Sequence, residues 1–316
     1  MQNGQGEFEA VVTGNLRYSA NSREDFPAVG DWVSLIYNDS SFAIIHSIFP
    51  RLSTLIRQAV GKFGERQVIA TNIDHALIVQ AVDRDFNINH IERYLTLCNS
   101  SGIGAIVLLN KIDLIPRESL EEMIGSIRKQ IKQVPTIPIS NVSREGFDVL
   151  DTYLQRGKTF CLLGSSGVGK SSLINNLVGK EVMATGEISE SIDRGKHVTT
   201  HRELIITEKG ILIDNPGMRE VGIADVSDGL EVTFGTLTEL SKNCRFNDCT
   251  HTTEIGCAIT EAVENVEIDR SSYENFLKMQ REKDHFESTV VERRKKEKDF
   301  GKVLKNYKKD RKLNKY

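Results

Sequence analysis

This sequence has no apolar run that could cross a bilayer. The longest uninterrupted stretches, such as Ile103 to Leu109, fall far short of the roughly 20 residues a membrane span needs. The amino terminus, from Met1 to Glu7, has neither a basic start nor an apolar core, so no secretory signal is read. The expectation is a cytoplasmic protein with no membrane partner. Proline is scarce, 6 in 316 residues, and 39% of the chain is hydrophobic, which excludes a chain disordered throughout. At roughly 100–200 residues per domain, the length also excludes a single small module. Cysteine is too sparse for a disulfide framework. Of the 5, Cys98 and Cys161 stand alone in apolar surroundings, while Cys244, Cys249 and Cys257 crowd beside His251, which is metal spacing. The small net charge of −3 hides an asymmetry: from Val291 to Tyr316, twelve Lys and Arg face four Asp and Glu, a basic arm on an acidic body.

Three textures succeed one another. Residues 7–70 alternate short β-like runs (Glu7 to Thr13, Asp31 to Tyr37, Phe42 to Phe49, Leu52 to Gln58) with turn signals at Gly14-Asn15, Pro27 to Gly30, Asn38 to Ser40 and Pro50. A small barrel of the OB type fits this pattern, and an SH3-like barrel would give much the same one. From about Ile73 to Ile223, apolar strands alternate with amphipathic helices, which predicts a parallel sheet with helices on both faces. Beyond Asp225 the chain turns helical and polar. The expected domains are a β-barrel over 1–70, an α/β nucleotide-binding domain over 71–225, and a helical metal-binding domain over 226–316 that ends in the basic tail.

Gly164-Ser165-Ser166-Gly167-Val168-Gly169-Lys170-Ser171 follows the apolar run Thr159 to Leu163 and opens the helical pattern that continues through Ser172. This is a phosphate loop in its required strand–turn–helix setting. Glycines let backbone N–H groups wrap the phosphates, Lys170 reaches the β and γ oxygens, and the Ser171 hydroxyl ligates Mg²⁺. Asn110-Lys111-Ile112-Asp113 ends the strand Ala105 to Leu109, where doubly wound sheets bind ligands. It resembles the guanine-specificity motif NKxD of the GTPase superfamily: the Asp113 carboxylate can accept from both N1–H and the 2-amino group of guanine, a donor pair adenine lacks. Asp214-Asn215-Pro216-Gly217 resembles the DxxG element, whose Asp holds Mg²⁺ through water and whose Gly amide senses the γ-phosphate. Between it and the phosphate loop lies the polar stretch Gly195 to Arg202, with Thr199, and second Thr200, as the switch hydroxyl for Mg²⁺.

An ordinary GTPase runs phosphate loop, switch threonine, DxxG, NKxD. Here NKxD precedes the phosphate loop by about fifty residues, with Ile139-Ser140-Asn141 closing the strand between them and Ser140 placed near the base. The domain is therefore circularly permuted. That order, between an N-terminal barrel and a C-terminal Cys/His cluster, resembles the RsgA (YjeQ) family of ribosome small-subunit-dependent GTPases. Gly30-Asp-Trp-Val33, the stretch from Gln67 to Asp74, and Gly217-Met-Arg-Glu220 look like blocks of the same family. Two positions depart from it, Asn215 and Val198, where family members usually carry Thr. The resemblance implies GTP and GDP with Mg²⁺ as ligands, hydrolysis of GTP, and a monomer acting late in the maturation of the small ribosomal subunit and gripping its rRNA. The alternative is a nucleotide-regulated zinc and OB-fold RNA-binding protein serving another ribonucleoprotein.

Cys244, Cys249, His251 and Cys257 supply the Cys₃His set that closes a tetrahedral structural Zn²⁺ site with no position left for water. The tail from Arg293 to Lys315 can neutralise several RNA phosphates without reading sequence. Met218 stands where a water-orienting Gln follows DxxG in Ras-type enzymes, so intrinsic turnover is expected to be slow. His197, beside the switch threonines, is the candidate to orient the attacking water, and the predicted catalytic set is Lys170, His197 and Thr199.

Overall fold

A strand buried on both faces must be apolar at nearly every position, and the central strands of this protein meet that demand. The computed structural model describes residues 1–3, 6, 7, 9–37, 42–59, 65–83, 86–181, 183, 202–215 and 226–313. In the amino-terminal part, β1 (Gln2–Asn3) and β2 (Gly6–Glu7) pair with each other, and β3 (Glu9–Val12) leads into the short helix α1 (Gly14–Ser19). β4 (Val33–Tyr37) and β5 (Phe42–Ile48) complete a three-stranded sheet of order β3-β5-β4, and β6 (Thr54–Gln58) pairs with β7 (Arg66–Thr71). Side chains stitch the two sheets together. Arg51 donates to both carboxylate oxygens of Asp31 at 2.8 Å, Thr71 Oγ1 donates to Asp31 Oδ1, and Asn72 Nδ2 donates to the Gly30 carbonyl.

The centre is a six-stranded sheet of order β10-β9-β8-β11-β13-β12, built from β8 (His75–Ala81), β9 (Gly104–Asn110), β10 (Thr136–Pro138), β11 (Thr159–Leu163), β12 (Glu203–Thr207) and β13 (Gly210–Asp214). Alternation sends Ile78, Val107, Leu109, Cys161 and Leu163 to one face, packed with α2 (Ile88–Ser100) and α3 (Arg117–Gln130). Leu77, Val79, Ile106, Leu108 and Phe160 go to the other, packed with α4 (Phe147–Tyr153) and α5 (Lys170–Val178). Helices on both faces are as expected, but the sheet is not wholly parallel. β12 runs antiparallel to β13, because Thr207 to Gly210 form a tight turn in which Thr207 Oγ1 bonds the Gly210 carbonyl, leaving no room for a crossover.

The carboxyl-terminal part is helical as read: α6 (Ser227–Thr233), α7 (Gly235–Ser241), α8 (Ala258–Glu264) and the long α9 (Arg270–Leu313). It docks on α2. Gly229 lies so close to α2 that a Cβ there would sit 2.1 Å from the Thr96 carbonyl oxygen. Leu230, Phe234 and Phe276 join the same core as Leu55 and Ile69 of the β6–β7 pair, so the apolar interior on that face runs without a break from the amino-terminal strands to the last helix. Among the described residues, no helix is long and apolar enough to cross a membrane.

Candidate functional site

Four parallel strands deliver their carboxyl ends to one edge of the sheet, and the motifs sit on the loops that leave them. β9 ends at Asn110, β10 is followed by Ser140, β11 by the phosphate loop, and β13 ends at Asp214. The phosphate loop takes positive φ at Gly164, Gly167 and Gly169 before α5 begins at Lys170. Gly169 is where the base-reading and phosphate-binding loops meet. Asn110 Nδ2 donates to the Val168 carbonyl at 2.7 Å, and Asn141 Nδ2 donates to the Gly169 carbonyl at 2.9 Å. A Cβ on Gly169 would lie 2.3 Å from the first amide and 2.8 Å from the second, so only glycine fits.

The guanine-reading loop is braced from several sides. Lys111 adopts the left-handed conformation at φ 69°, unusual outside glycine, and its ammonium pairs with Asp83 at 2.8 Å, on the loop after β8. Ser140 Oγ donates to Asp113 Oδ1 at 2.5 Å while accepting from the N–H groups of Val142 and Ser143. One Asp113 oxygen is thus fixed by the serine, which orients the carboxylate for a purine edge. Asn141 also accepts, through its carbonyl, from Asn176 Nδ2 on α5 at 2.9 Å.

At the phosphate end, the Lys170 ammonium donates to the carbonyls of Gly164 at 2.9 Å and Ser165 at 2.8 Å, contacts that phosphate oxygens would replace. Burial pulls Lys170 down to about 8, against the opposing pull of Asp214. Burial pushes Asp214 up to about 6, against Lys170 and reinforced by Glu203. Among the described residues Asp214 Oδ1 is buried without a hydrogen-bond partner, an oxygen that suits a ligand carrying its own positive charge or water. Mg²⁺ with its waters fits that oxygen. Asn215 is buried and donates through Nδ2 to Cys161 Sγ at 2.8 Å, while its Oδ1 has no hydrogen-bond partner among the described residues. His197, Thr199, Thr200 and Gly217 lie outside the described residues.

The second cluster is built by the loop between α7 and α8. The ligand atoms of Cys244, Cys249, His251 and Cys257 all lie within 4.8 Å of one another. Cys244 and Cys257 Sγ each stand 3.6 Å from His251 Nδ1 and 3.9 Å from each other. A tetrahedron with Zn–S bonds of about 2.3 Å has S···S edges of about 3.8 Å and S···N edges of about 3.5 Å, so the four side chains fit zinc with His251 binding through Nδ1. His251 takes a left-handed backbone at φ 59°, and its carbonyl accepts from Tyr273 Oη at 2.7 Å, which ties the metal loop to α9.

Sequence reasoning missed Asn141, Asp83 and Asn176 as members of the site. The first adjoins Ser140 and was within reach of the motif. The other two are brought in only by the ends of β8 and α5.

A model of the RsgA GTPase family matches residues 48–224, and a second, of ABC transporters, matches 147–314, which also contains the phosphate loop. The chain is 43% identical over 280 residues to the small ribosomal subunit biogenesis GTPase RsgA 1 of Listeria innocua, covering 88% of this chain and 78% of that one. It is 39% identical over 290 residues to the RsgA of Opitutus terrae, with the same coverages. Among solved structures it is similar to YjeQ from Thermotoga maritima, with a TM-score of 0.61 at 25% identity over 87% of this chain and 90% of that one. It shares the fold of YloQ, a circularly permuted GTPase, at a TM-score of 0.58, 24% identity, and 90% and 87% coverage.

Proposed function

The chain belongs to the RsgA GTPase family, whose members hydrolyse GTP, and from that premise we propose that it acts as an assembly factor on the small ribosomal subunit, with its GTP turnover raised by that subunit. The observation that carries the reading is the junction at Gly169, where the Asn110 loop and the Ser140–Asn141 loop grip the phosphate loop, so that guanine and phosphates bind one connected frame. In this reading Asp113 selects guanine and the backbone amides of residues 164–172 wrap the phosphates. Lys170 and Asp214 face the transferring group and its Mg²⁺, which supplies charge neutralisation at the β and γ oxygens when bound. Thr199, with Thr200 second, would offer its hydroxyl to Mg²⁺, Gly217 would sense the γ-phosphate, and His197 would orient the attacking water. Zn²⁺ on Cys244, Cys249, His251 and Cys257 is structural.

RNA is the partner surface this reading requires. In support, Trp32 (67% exposed), just before β4, and Phe49 (54% exposed), just after β5, are joined by the Phe49 N–H to the Trp32 carbonyl, and bases stack on such rings. The helix α9 runs through the basic segment as far as Leu313. The protein works as a cytoplasmic monomer in three parts, 1–70, 71–225 and 226–316. The test is GTP turnover alone, with small subunits and with large subunits, for the wild type and Lys170→Ala. Stimulation by small subunits alone, lost in the variant, is expected. Turnover unmoved by either subunit while RNA still binds would reduce the protein to a nucleotide-regulated RNA-binding factor.

A further inference from the structure

Asn141 touches three elements at once. Its Nδ2 donates to the Gly169 carbonyl at 2.9 Å, and its backbone carbonyl accepts from Asn176 Nδ2 on α5 at 2.9 Å. It also follows directly on Ser140, whose hydroxyl holds Asp113 Oδ1 at 2.5 Å. The Gly169 carbonyl already accepts a helical bond of α5, from the Leu173 N–H at 2.9 Å, so the Asn141 amide takes its second lone pair and grips the start of that helix from outside. Lys170 is the next residue. Two successive residues of one loop therefore connect the carboxylate assigned to the base with the residue before the lysine assigned to the phosphates. The turn does not need the Asn141 side chain for its own closure. It is closed by the Ser140 N–H to the Glu145 carbonyl, the Arg144 N–H to the Ser140 carbonyl, and the Val142 and Ser143 N–H groups to Ser140 Oγ. The amide is also held at a cost: Asn141 Oδ1 is buried and has no hydrogen-bond partner among the described residues. A side chain serving stability alone gains nothing by stranding an acceptor there.

We propose that Asn141 is a positioning residue that couples recognition of the guanine edge to phosphate binding, by fixing Asp113 relative to the phosphate loop. A diphosphate seated against Lys170 then brings the base to Asp113 with its 2-amino group already in register. Linkage makes the coupling reciprocal: a base seated on Asp113 brings its phosphates to the loop. The inference rests on the guanine reading of Asp113 and deepens it. Selectivity for the whole nucleotide, beyond that for the base alone, falls to a side chain that none of the sequence motifs contains.

Displacement of a fluorescent GDP by GDP, IDP, guanosine and inosine tests the coupling, since IDP and inosine lack only the 2-amino group. Asn141→Ala releases Gly169 and leaves Ser140 on Asp113. GDP should bind about three- to tenfold more weakly, the loss of one neutral hydrogen bond. The preference for GDP over IDP should shrink by about threefold or more, while that for guanosine over inosine stays as in the wild type. Asn141→Asp keeps the shape but turns an oxygen toward the Gly169 carbonyl, so it should lose at least as much as Asn141→Ala. Wild-type GDP affinity in Asn141→Asp would overturn the proposal, as would equal shrinkage of the nucleotide and nucleoside ratios. So would an unchanged nucleotide ratio with a lower melting temperature, which marks a merely structural asparagine. Should Asn141→Ala not fold, Asn176→Ala, which frees only the Asn141 carbonyl, must shrink the nucleotide ratio in the same direction, and failure to do so sinks the coupling. A wild type that binds IDP as tightly as GDP would overturn the guanine reading of Asp113 and this role with it. A wild-type preference left unaltered in the variants overturns the role alone.

Discussion

Gly169→Ala separates the physical account of the site from the motif alone. A methyl at φ 97° costs about 1–2 kcal/mol of backbone strain in the left-handed region. The added carbon would also lie 2.3 Å from Asn110 Nδ2 and 2.8 Å from Asn141 Nδ2, so both amides must move. Asn110 would then lose its 2.7 Å bond to the Val168 carbonyl in a buried setting, and stranding that group costs about 1–3 kcal/mol. The total, about 2–5 kcal/mol, is divided between fold stability and nucleotide affinity, since the same amides brace both. Urea unfolding of the nucleotide-free protein and GDP titration by fluorescence measure the two parts, and their sum is the predicted quantity. Asn110→Ala removes the nearer obstacle, so the double variant Asn110→Ala, Gly169→Ala should lose at least about 1 kcal/mol less than the two singles added together. A summed loss below about 1 kcal/mol in Gly169→Ala, or strict additivity in the cycle, would refute the claim that these loops meet at that glycine.

Burial holds Lys170 down to about 8, and phosphate oxygens would restore its charge, so binding above that pH takes up a proton. GDP affinity measured by titration should fall by up to tenfold per unit as pH rises past about 8, and Lys170→Arg, which stays charged, should flatten the profile. Metal analysis should find one zinc per chain, reduced to none in Cys257→Ser, with a lower melting temperature and lost hydrogen-exchange protection over 235–264. Glu92→Ala should cost about 2–4 kcal/mol in urea unfolding by stranding Ser272 and Asn275, while Glu92→Gln should cost less than about 1. Burial raises the Glu92 pKa despite the Ser272 and Asn275 hydrogen bonds, so the folded state keeps a proton that the unfolded chain has released. Its contribution to stability falls as pH rises through and above the ordinary carboxylate range, and Glu92→Gln should remove that slope.

The sheet and its motifs were legible because each is local. A phosphate loop is a strand, a turn and a helix in sequence, and Asn110 to Asp113 follow their strand directly. The Cys₃His loop is equally local, and its four ligands close on one another as read. The features that were not legible depend on partners far along the chain. Gly14-Asn15 read as a turn, yet Thr13 Oγ1 accepts from the Leu16 N–H and caps a helix there. Residues 147–153 were not picked out as a helix, though Phe147 and Leu150 bury one face against the sheet. Asn141 is polar and unremarkable in sequence, and acquires a role only because β10 ends beside α5. Glu92, a lone carboxylate among the apolar residues of α2, carries no local signal of its partners. Only the arrival of α9 from 180 residues away buries it.

The permutation has a structural licence in the order of the strands. β8, β9 and β10 form one contiguous piece of chain and one side of the sheet, and β11, β12 and β13 form the other. The two pieces meet in a single ladder, β8 against β11, so exchanging which is made first leaves every pairing intact and changes only which loops are cut and joined. The exchange does alter where the chain goes once it leaves the strand of Asp214. In this order it enters α6, which packs on α2, a helix of the other half. The carboxyl-terminal module therefore grows from the half that carries the phosphate loop and Asp214, and is fastened to the half that carries Asn110 and Asp113. It bridges the β8–β11 seam, across which Asn110 and Asn141 reach Val168 and Gly169. In the ordinary order the chain would leave instead from the base-reading half, the half to which α2 itself belongs, and an extension packed on α2 would stay on one side of the seam.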